Sequence, residues 1–589
     1  MTLKRPKRII TIVIIILTIT GYNFIRKDFQ KAESTIYFNA TIITLEDGLP
    51  TAEAMLVEKG IIKAIGTSKE ILSLKNSHTK AIDLKGQTIM PGFIDSHTHV
   101  ALSAFLENMV DLSGFKHKTS KEVWDYLKAQ ALTKKPGEWI VGKGIDPVLV
   151  ADLVSPNLAF LDSLVPNNPL VLISQSLHTY WVNSKTLKKV GIDNFTKNPS
   201  ESSFYEKDSL GNLTGLIAEQ KAFLPILAVL QKDVMTPKSL MNATTKVLKA
   251  YAKNGNTTIV SAGITINDAK PLRLYEFLAT ENPKFINQLL AAVGILPKRV
   301  PYPRHFIYIR QDKDFLLPKK PIDNDFYSIL GVKFWYDGSP YTGSMYLNVP
   351  YLNTDFNKNS LRIPINSRGK ALIKKDDLKN LFINYTKEGW QIAVHAQGDV
   401  ANQDVIDAFA EANNEVDVTK FRNRLEHCVL LPESSFDKIE ALNIVPNFHV
   451  NHLYYYGKAL DDKIIGTERA NIILPVGEAQ KRHLKYALHA DQPMFESKPF
   501  RLIQTAVERL TKEGDTLGFN QRISVLEGLK AMTINAAWQI HKEDKLGTLK
   551  KGKYADFVVL DKNPLKIPTH DLENIKILKV FINGNEILN

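Results

Sequence analysis

The pattern of apolar and polar positions differs between the middle of the chain and its two ends, and this difference predicts two kinds of domain. Past residue 34, short runs rich in β-branched and aromatic residues alternate with stretches of helical periodicity, which is typical of an α/β fold. At both ends the runs are joined by tight turns with no room for a crossover helix, as in "AEAMLVEKGIIKAIG" and "ILKVFINGNEIL". We therefore predict a small β-sandwich domain formed by both chain ends, over residues 35–88 and 543–589.

The middle of the chain, residues 89–542, contains eight candidate strands. Eight parallel strands, each followed by a helix, can close into a (β/α)₈ barrel of the TIM type. The gap between the first and second candidates is far longer than one barrel helix requires, so we assign residues 100 to about 245 to an insertion over the barrel mouth. The candidate strands are residues 93–99, 257–262, 289–295, 330–335, 391–396, 423–427, 444–448 and 485–490.

The first 30 residues form a separate unit. "MTLKRPKR" supplies four cations, and about seventeen mostly apolar residues follow, close to the lower limit for crossing a bilayer. We see no small-x-small cleavage site after them, so we predict an uncleaved membrane anchor, with a cleaved signal peptide as the alternative. In either case we expect an exported protein body, in the periplasm or on the extracytoplasmic face of the membrane.

Composition narrows the classes of function. The chain has 589 residues, of which 44% are hydrophobic and 23% charged, as expected for a large folded protein. Its net charge of +13 is diffuse and forms no basic stripe with interleaved aromatic residues, so we expect no nucleic-acid partner. The only cysteine is Cys428, which excludes a disulfide framework and a cysteine-based zinc cluster. Any metal must be held by nitrogen and oxygen ligands.

Residues 90–100, "MPGFIDSHTHV", end an apolar run with three ionisable side chains spaced two residues apart. Because side chains two positions apart in a strand point to the same face, Asp95, His97 and His99 share one side. Barrel strands carry chemistry at their C-terminal ends, and two imidazoles there can converge on one cation. A lone His-x-His motif is weak evidence, so the hypothesis of a metal site needs partners.

Four other predicted strands supply such partners. "WQIAVHAQGD" ends at His395, "NRLEHCV" at His427, and "KYALHADQP" at His489 and Asp491. Lys333 lies inside the apolar strand "ILGVKFWYDG", although lysine is almost never fully buried unless it is paired or modified. Imidazole and carboxylate ligands without a thiolate suit zinc, and manganese, iron, cobalt and nickel stay open.

Together these segments resemble the metal-dependent amidohydrolase superfamily, and within it the amidohydrolase-3 (YtcJ-like) family that includes N-substituted formamide deformylases. The resemblance spans about residue 35 to 589 and rests on "MPGFIDSHTHV", "GVKFWYDGS", "VHAQGD", "RLEHC", "LHADQP" and "LGTLKKGKYADFVVLD". It implies a barrel with a β-sandwich and two divalent ions, taken as zinc. The implied ligands are His97, His99 and Asp491 for the first ion, His395 and His427 for the second, and a carboxylated Lys333 as the bridge.

The resemblance also implies an activity. A metal-activated hydroxide would cleave a carbon–nitrogen bond other than a peptide bond, in an amide or formamide, and Asp491 would pass the proton to the departing nitrogen. His452 would bond the reacting carbonyl. The remaining contacts to a small-molecule substrate would come from His178, Asn183 and His489.

Alternatives stay open at this point. His449 stands where the family usually has glutamine or an aromatic residue, and Tyr456 begins a Tyr-Gly-Lys segment where the family often has Trp-Gly-Asp. A deaminase would need a glutamate at Gly398, so hydrolysis is favoured over deamination. A lactonase or esterase-type hydrolase could use the same metal site, and a catalytically inactive, membrane-tethered binding protein is a further alternative. A homodimer is also left open.

Overall fold

The computed structural model describes most of the chain past its N-terminal segment. The described residues are 34–200, 203–234, 236–264, 266, 268–280, 284–297 and 300–587. The predicted anchor, residues 1–30, lies outside them. A helix long and apolar enough to cross a bilayer does not occur within the described residues.

Eight parallel strands form a barrel in the middle of the chain, arranged around it in sequence order. Two backbone hydrogen bonds bring the eighth strand back to the first, because Asp491 N donates to His97 O at 3.2 Å and His99 N donates to Gln492 O at 2.8 Å. The predicted (β/α)₈ fold is thereby confirmed. The strands are Phe93–Thr98, Asn256–Ile264, Arg304–Arg310, Tyr327–Trp335, Gln391–Ala396, Arg424–His427, Val445–Phe448 and Ala487–Leu488.

The third barrel strand is not where the sequence pattern predicted it. The prediction of a strand at residues 289–295 is wrong, since Phe285–Ala292 is a helix followed by a turn in which Gly294 has φ +78°. The strand is Arg304–Arg310. Periodicity cannot assign an unbroken apolar run such as "LLAAVGI" to helix or strand, and its leucines and alanines favour a helix. Strand Arg304–Arg310 was not recognised because it begins and ends with a charged residue.

Arg304, at the start of that strand, is fully buried because it joins the barrel to the C-terminal part of the chain. Its Nε and Nη2 donate to the two carboxylate oxygens of Asp556 at 2.6 and 3.0 Å, and Nη1 donates to Asp325 O at 2.9 Å. Bidentate pairs of this kind are geometrically specific. Breaking a buried pair by removing one partner costs about 3–5 kcal/mol, so this contact holds the sandwich on the barrel.

Both chain ends contribute to a β-sandwich beside the barrel. Strand Thr88–Pro91 pairs antiparallel with Phe557–Leu560, so the early and late parts of the chain complete one sheet together. Between the sheets, Phe557 and Phe581 stack with ring centroids 4.2 Å apart. One sheet contains Ser34–Phe38, Ala54–Glu58, Ile61–Gly66 and Lys80–Asp83, and the other contains Thr41–Ile43, Thr51–Ala52, Thr88–Pro91, Phe557–Leu560, Ile577–Ile582 and Asn585–Glu586.

The long connection between the first and second barrel strands forms a sheet of its own. Helix Glu219–Asp233 packs on it, with the ring of Phe223 stacked on that of Tyr180 at 3.8 Å. The end of this sheet nearest the barrel contributes Leu177, His178 and Tyr180 to the cavity at the barrel mouth. Its strands are Val110–Asp111, Ile140–Ile145, Leu170–Ser174, Thr179–Val182, Phe204–Lys207 and Leu213–Ala218.

Amphipathic helices cover the barrel. In Pro237–Lys253, for example, the Thr236 hydroxyl caps the first turn by accepting from Ser239 N at 3.1 Å, and Val247 and Tyr251 are buried against the barrel. The α-helices of the described residues, including those of the sandwich and of the connection between the first and second strands, are Ser68–Leu72, Val100–Leu106, Ser120–Leu132, Leu158–Leu164, Ser184–Val190, Glu219–Asp233, Pro237–Lys253, Lys270–Ala279, Phe285–Ala292, Lys375–Lys387, Asp399–Asn413, Phe436–Ala441, Asn451–Ala459, Thr467–Ala470, Val476–Lys481, Pro499–Glu508, Val525–Ala531 and Ile534–Gln539.

Candidate metal centre and active site

A cavity of about 320 Å³ lies at the carboxyl ends of the barrel strands. Barrels of this type carry their reactive groups at that end. The side chains at its base come from, or directly follow, the first, fourth, fifth, sixth and eighth strands. The structure brings together there all six residues predicted as metal ligands, namely His97, His99, Lys333, His395, His427 and Asp491.

Asp491 lies between the histidines of the first strand and the sixth. Its Oδ1 is 3.4 Å from His97 Nε2 and 3.1 Å from His99 Nε2, and its Oδ2 is 3.9 Å from His427 Nδ1. Burial alone would raise the pKa of Asp491, but the hydrogen bond from His99 and the imidazoles around the carboxylate outweigh it and lower that pKa. Asp491 is therefore ionised and available as a ligand or a proton acceptor.

His97 is fixed from behind by a carboxylate that the sequence analysis missed. Its Nδ1 is 2.5 Å from Glu426 Oε2, which also accepts from Asn447 Nδ2 at 2.7 Å, while Glu426 Oε1 lies 2.7 Å from Arg424 Nε. Burial and the charge of Lys333 lower the pKa of His97 well below its usual value. A neutral imidazole that donates from Nδ1 presents its Nε2 lone pair to a metal.

A signal for this carboxylate was present in the sequence. Arg424 and Glu426 both lie inside the short strand "RLEH", and both are fully buried. Charged residues are almost never fully buried unless they are paired. Two opposite charges at alternate positions of a barrel strand therefore indicated an internal ion pair next to His427.

Lys333 is buried at the cavity base without a hydrogen-bond partner among the described residues. Its Nζ lies 4.7 Å from the ring centroid of Trp335, and burial lowers the pKa of Lys333 to about 8. Gly263, with φ +100°, makes room for both side chains, since a Cβ there would come within 2.9 Å of Lys333 Cγ and 2.5 Å of the Trp335 ring. The amine is thus held partly neutral close to His97, His395 and His427, which line the same cavity.

His395 and His427 face each other across the fifth and sixth strands, with ring centroids 4.4 Å apart. The Gln397 amide lies 3.2 Å from His395 Nε2 and fixes that ring. Burial lowers the pKa of both histidines well below the usual value, which keeps them neutral. Neutral imidazole is the form that binds divalent metals.

The loop after His395 is shaped by Asp337 and Gly398. The buried carboxylate of Asp337 accepts from the backbone N of Gln397 at 3.0 Å, of Gly398 at 2.9 Å and of Tyr346 at 3.0 Å. A Cβ on Gly398 would come within 1.9 Å of Tyr346 O. A glutamate, which a deaminase would need here, does not fit without rebuilding this loop.

Three further histidines lie behind the cavity base. His489, predicted as a substrate contact, is fully buried and stacked between His97, at 4.6 Å, and His449, at 4.8 Å, rather than lining the cavity. His452 is also buried, with Nδ1 2.5 Å from the Tyr341 hydroxyl, and burial lowers the pKa of His452 to about 4. Neither ring reaches the cavity surface as the side chains now stand.

The two predicted contacts from the connection between the first and second strands differ in their placement. His178 lines the cavity, and its Nδ1 is 2.8 Å from Glu219 Oε2. Burial lowers the pKa of His178, but the Glu219 charge and hydrogen bond raise it, and the net shift is upward. Glu219 is held by the Ser344 hydroxyl, which donates to its Oε1 at 2.9 Å.

Asn183 does not lie in the cavity, and the prediction of a substrate contact is corrected here. The side chain is fully buried and caps helix Ser184–Val190, where Oδ1 accepts from Thr186 N at 3.1 Å and from Leu170 N at 3.0 Å. Its amide donates to Asn168 O at 2.9 Å and to Val165 O at 3.2 Å. With both ends of the amide engaged, Asn183 holds the backbone together and has nothing left for a substrate.

Both apolar and polar side chains line the cavity. Helices Val100–Leu106 and Glu219–Asp233 supply much of the apolar surface, and Arg310 and Gln220, joined by a 3.2 Å hydrogen bond, also line it. Sites that bind small molecules commonly combine apolar walls with a few convergent polar groups. The apolar side chains include Leu102, Phe105, Leu177, Tyr180, Phe223, Leu224 and Leu227.

The donor set at the base fits divalent cations. His97 Nε2 is buried without a hydrogen-bond partner among the described residues, and His97, His427 and Asp491 each offer a ligand atom within 4.8 Å of the others. Buried polar atoms are normally satisfied, so such a group points to a bound ion. Backbone strain, which collects at functional sites, occurs here too, since His427 and Asp491 have φ of 75° and 57°.

Comparisons with known proteins cover most of the chain. The profile of the amidohydrolase family matches residues 80–588. N-substituted formamide deformylase of Arthrobacter pascens is 24% identical over 93% of this chain and 96% of that protein, and Protein LONG AFTER FAR-RED 3 of Arabidopsis thaliana is 27% identical over 93% and 90%. The crystal structure of an uncharacterized metal-dependent hydrolase from Pyrococcus furiosus has the same fold, with a TM-score of 0.66 and 23% identity over 90% of this chain and all of that one.

Proposed function

Because the chain belongs to the amidohydrolase family of metal-dependent hydrolases, we propose that it cleaves the carbon–nitrogen bond of a non-peptide amide or formamide. The observation that carries the proposal is the cavity, in which six nitrogen- and oxygen-bearing side chains line the base beneath apolar walls. The similarity to N-substituted formamide deformylase supports the choice of bond.

The cations would be two divalent ions, taken as zinc. His97, His99 and Asp491 would hold one, and His395 and His427 the other. When bound, the ions supply a water of near-neutral pKa and polarise the scissile carbonyl. Imidazole and carboxylate donors of this kind suit zinc and its neighbours among the divalent metals.

Lys333 would bridge the two positions as a carbamate. A charged ammonium would be repelled by two cations, whereas the neutral amine can add to carbon dioxide and lose a proton to give an anion with two oxygens. The lowered pKa of Lys333, about 8, supports this, because a sizeable fraction of the amine is then neutral at mildly alkaline pH. The room beside Gly263 at the Lys333 side chain supports the same assignment.

The chain's own residues would then handle the substrate and the proton. Asp491, ionised and next to both His97 and His99, would accept the proton of the attacking water and return it to the departing nitrogen. His178 would contact the substrate carbonyl or its neighbour, since Glu219 holds Nδ1 and leaves Nε2 free for that bond. We assign this contact to His178 rather than to His452, which is buried behind the base.

The apolar walls would select the substituent on the amide. Leu224 and Leu227 of helix Glu219–Asp233 line the cavity together with Phe105. Burying an apolar group stabilises it by roughly 25 cal/mol per Å². We therefore expect alkyl or aryl substituents to be preferred over short polar ones.

The test uses the purified full-length chain, stripped with a chelator and reloaded with zinc, manganese or cobalt. N-benzyl and N-methyl formamides and acetamides are offered in parallel with matched esters and lactones. Amine release by the reloaded protein alone supports the proposal, and Leu227→Asn should then lower kcat/KM for the benzyl compounds more than for the methyl ones. Cleavage confined to esters or lactones, or no cleavage in any metal form, would overturn it.

We also propose that residues 1–30 anchor the protein in a membrane. The four cations before an apolar run of about seventeen residues support this. If so, the full chain stays with the membrane fraction through a carbonate wash, whereas a chain starting near residue 30 is recovered in the soluble fraction with its metal. If the full-length chain is expressed and the recovered protein lacks its first 30 residues, a cleaved signal peptide is favoured.

A further inference from the structure

Three histidines behind the cavity base form a cluster that the proposed reaction does not use as a unit. The rings of His427 and His489 lie 5.1 Å apart, those of His427 and His449 5.7 Å, and those of His449 and His489 4.8 Å. Each offers a nitrogen within 4.8 Å of the others. They come from three successive strand ends, those of the sixth, seventh and eighth strands.

Five of the six nitrogens of this cluster lack hydrogen-bond partners of ordinary geometry among the described residues. They are His427 Nδ1, both nitrogens of His449 and both of His489, on side chains that are between 0% and 3% exposed. Burying polar atoms without partners is unfavourable, and in folded proteins such atoms are rare. Five such atoms on three adjoining rings point to a bound group as their partner.

A carboxylate completes the set. Asp491 Oδ2 lies 3.9 Å from His427 Nδ1 and 3.9 Å from His449 Nδ1. Three imidazoles and one carboxylate are a tetrahedral ligand set for zinc or a similar divalent ion. Bonds of about 2.0–2.1 Å would bring the donors to roughly 3.4 Å from one another, so small side-chain rotations suffice to close the site.

We propose that His449 is a metal ligand and that it holds a further divalent cation together with His427, His489 and Asp491. The position lies behind the cavity base, since neither His449 nor His489 lines the cavity. Of the three histidines only His427 lines the cavity, and its buried, unpartnered Nδ1 is the atom that it contributes to the cluster.

The inference goes beyond the proposed function and does not depend on it, because the cluster can bind an ion in a protein that hydrolyses nothing. His449 is also the residue at which the resemblance to the family leads us to expect glutamine or an aromatic side chain. An aromatic residue would fill the same space without offering a nitrogen. The competing explanation is that the three rings pack as a neutral stack with Phe495, whose ring lies 5.6 Å from His449.

The first measurement is made on the wild-type full-length chain and needs no variant. Crystals loaded with cobalt are measured on both sides of the cobalt absorption edge. The proposal requires an anomalous peak about 2.0–2.3 Å from a nitrogen of His449. Peaks confined to the cavity side, with His449 unliganded in the loaded crystal, would overturn it.

The second measurement compares metal binding by variants. His449→Phe keeps a ring and removes both nitrogens, and His449→Gln serves if the first variant does not fold. Either should lose one equivalent of bound zinc, or bind it more weakly by more than the roughly 10–100-fold that loss of an outer partner costs. His305→Gln is the control, because His305 is another buried histidine but bonds Ser261 Oγ at 2.7 Å. An unchanged zinc count and affinity in the His449 variants would contradict the proposal, whatever the outcome of the hydrolysis assay.

Discussion

His97 Nδ1 lies 2.5 Å from Glu426 Oε2 in a part of the barrel where both side chains are fully buried. A carboxylate in this place fixes the tautomer and the orientation of a metal-binding imidazole. Glu426→Gln should therefore lower zinc affinity by about 10–100-fold, measured by competition with a chelator of known affinity. Asp556→Asn, which weakens the remote buried pair with Arg304, is the matched control. Equal zinc affinity in wild type and Glu426→Gln would show that the pair has no effect on the site.

Lys333→Ala should lower metal content and activity together, because the side chain provides the proposed bridge. Added bicarbonate should speed reconstitution of stripped wild type and have no effect on the variant. Metal content is measured by mass spectrometry and the carbamate by ¹³C resonance after labelling. Lys143→Ala, at another lysine whose pKa is lowered by burial, is the control and should behave as wild type. Full metal content in Lys333→Ala would remove the bridging role.

Asp491→Asn should keep part of the metal and lose most turnover. The amide preserves the shape of the side chain but cannot accept a proton, and proton transfer by a positioned group contributes roughly 10²–10⁴-fold to rate. Metal content and kcat are measured on the same preparation, so that lost metal is not mistaken for lost chemistry. Wild-type kcat in the metal-loaded variant would place the base on another residue.

Cys428→Ser should bind the wild-type amount of metal and be less stable, by about 1 kcal/mol, because a hydroxyl is costlier to bury than a thiol. The thiol is buried and donates to Leu425 O at 3.4 Å, and burial raises the pKa of Cys428, so no thiolate is available for a metal. Denaturant unfolding and metal analysis test the two parts. Loss of metal in Cys428→Ser, but not in Cys428→Ala, would contradict this assignment.

His305 should make the fold sensitive to acid. Burial lowers the pKa of His305 from about 6.5 in the unfolded chain to about 3. Between these two pH values His305 is neutral in the folded state and protonated in the unfolded state. Stability is thus unaffected above pH 6.5 and falls by roughly 1.4 kcal/mol per pH unit below it, until the pH nears 3. The pH dependence of denaturant midpoints for wild type and His305→Gln measures this. Identical slopes for the two proteins would show that His305 does not titrate as stated.

The strand ends were the most predictable part of the protein. His97, His395 and His427 each end an apolar run, and parallel strands of a closed barrel bring their carboxyl ends to one rim, so sequence alone could place these residues together. The third strand was lost because "RHFIYIR" carries charges that belong to a buried pair and to the cavity end. Which charges are paired inside the protein depends on contacts far apart in the sequence.

The contacts around the site were less predictable for the same reason. Glu426 and His97 are separated by most of the barrel, and only closure of the eight strands brings them to hydrogen-bond distance. Asn183 looked like a pocket residue, yet its place at the start of a helix uses its amide for capping. His489 occupies a strand end, but the direction of its ring is set by His97 and His449 on either side. Sequence spacing gives the position of a residue and not the direction of its side chain.

Because Thr88–Pro91 pairs with Phe557–Leu560, this sheet can be completed only near the end of synthesis in the cell. The ribosome delivers the first of these strands long before the second, so an incomplete sheet edge must wait while nearly the whole barrel is translated. An exposed edge of that kind recruits other strands and promotes aggregation. A nascent chain that stops short of residue 557 therefore leaves this sheet edge exposed. We expect such prematurely terminated chains to be bound by chaperones or degraded by quality-control proteases.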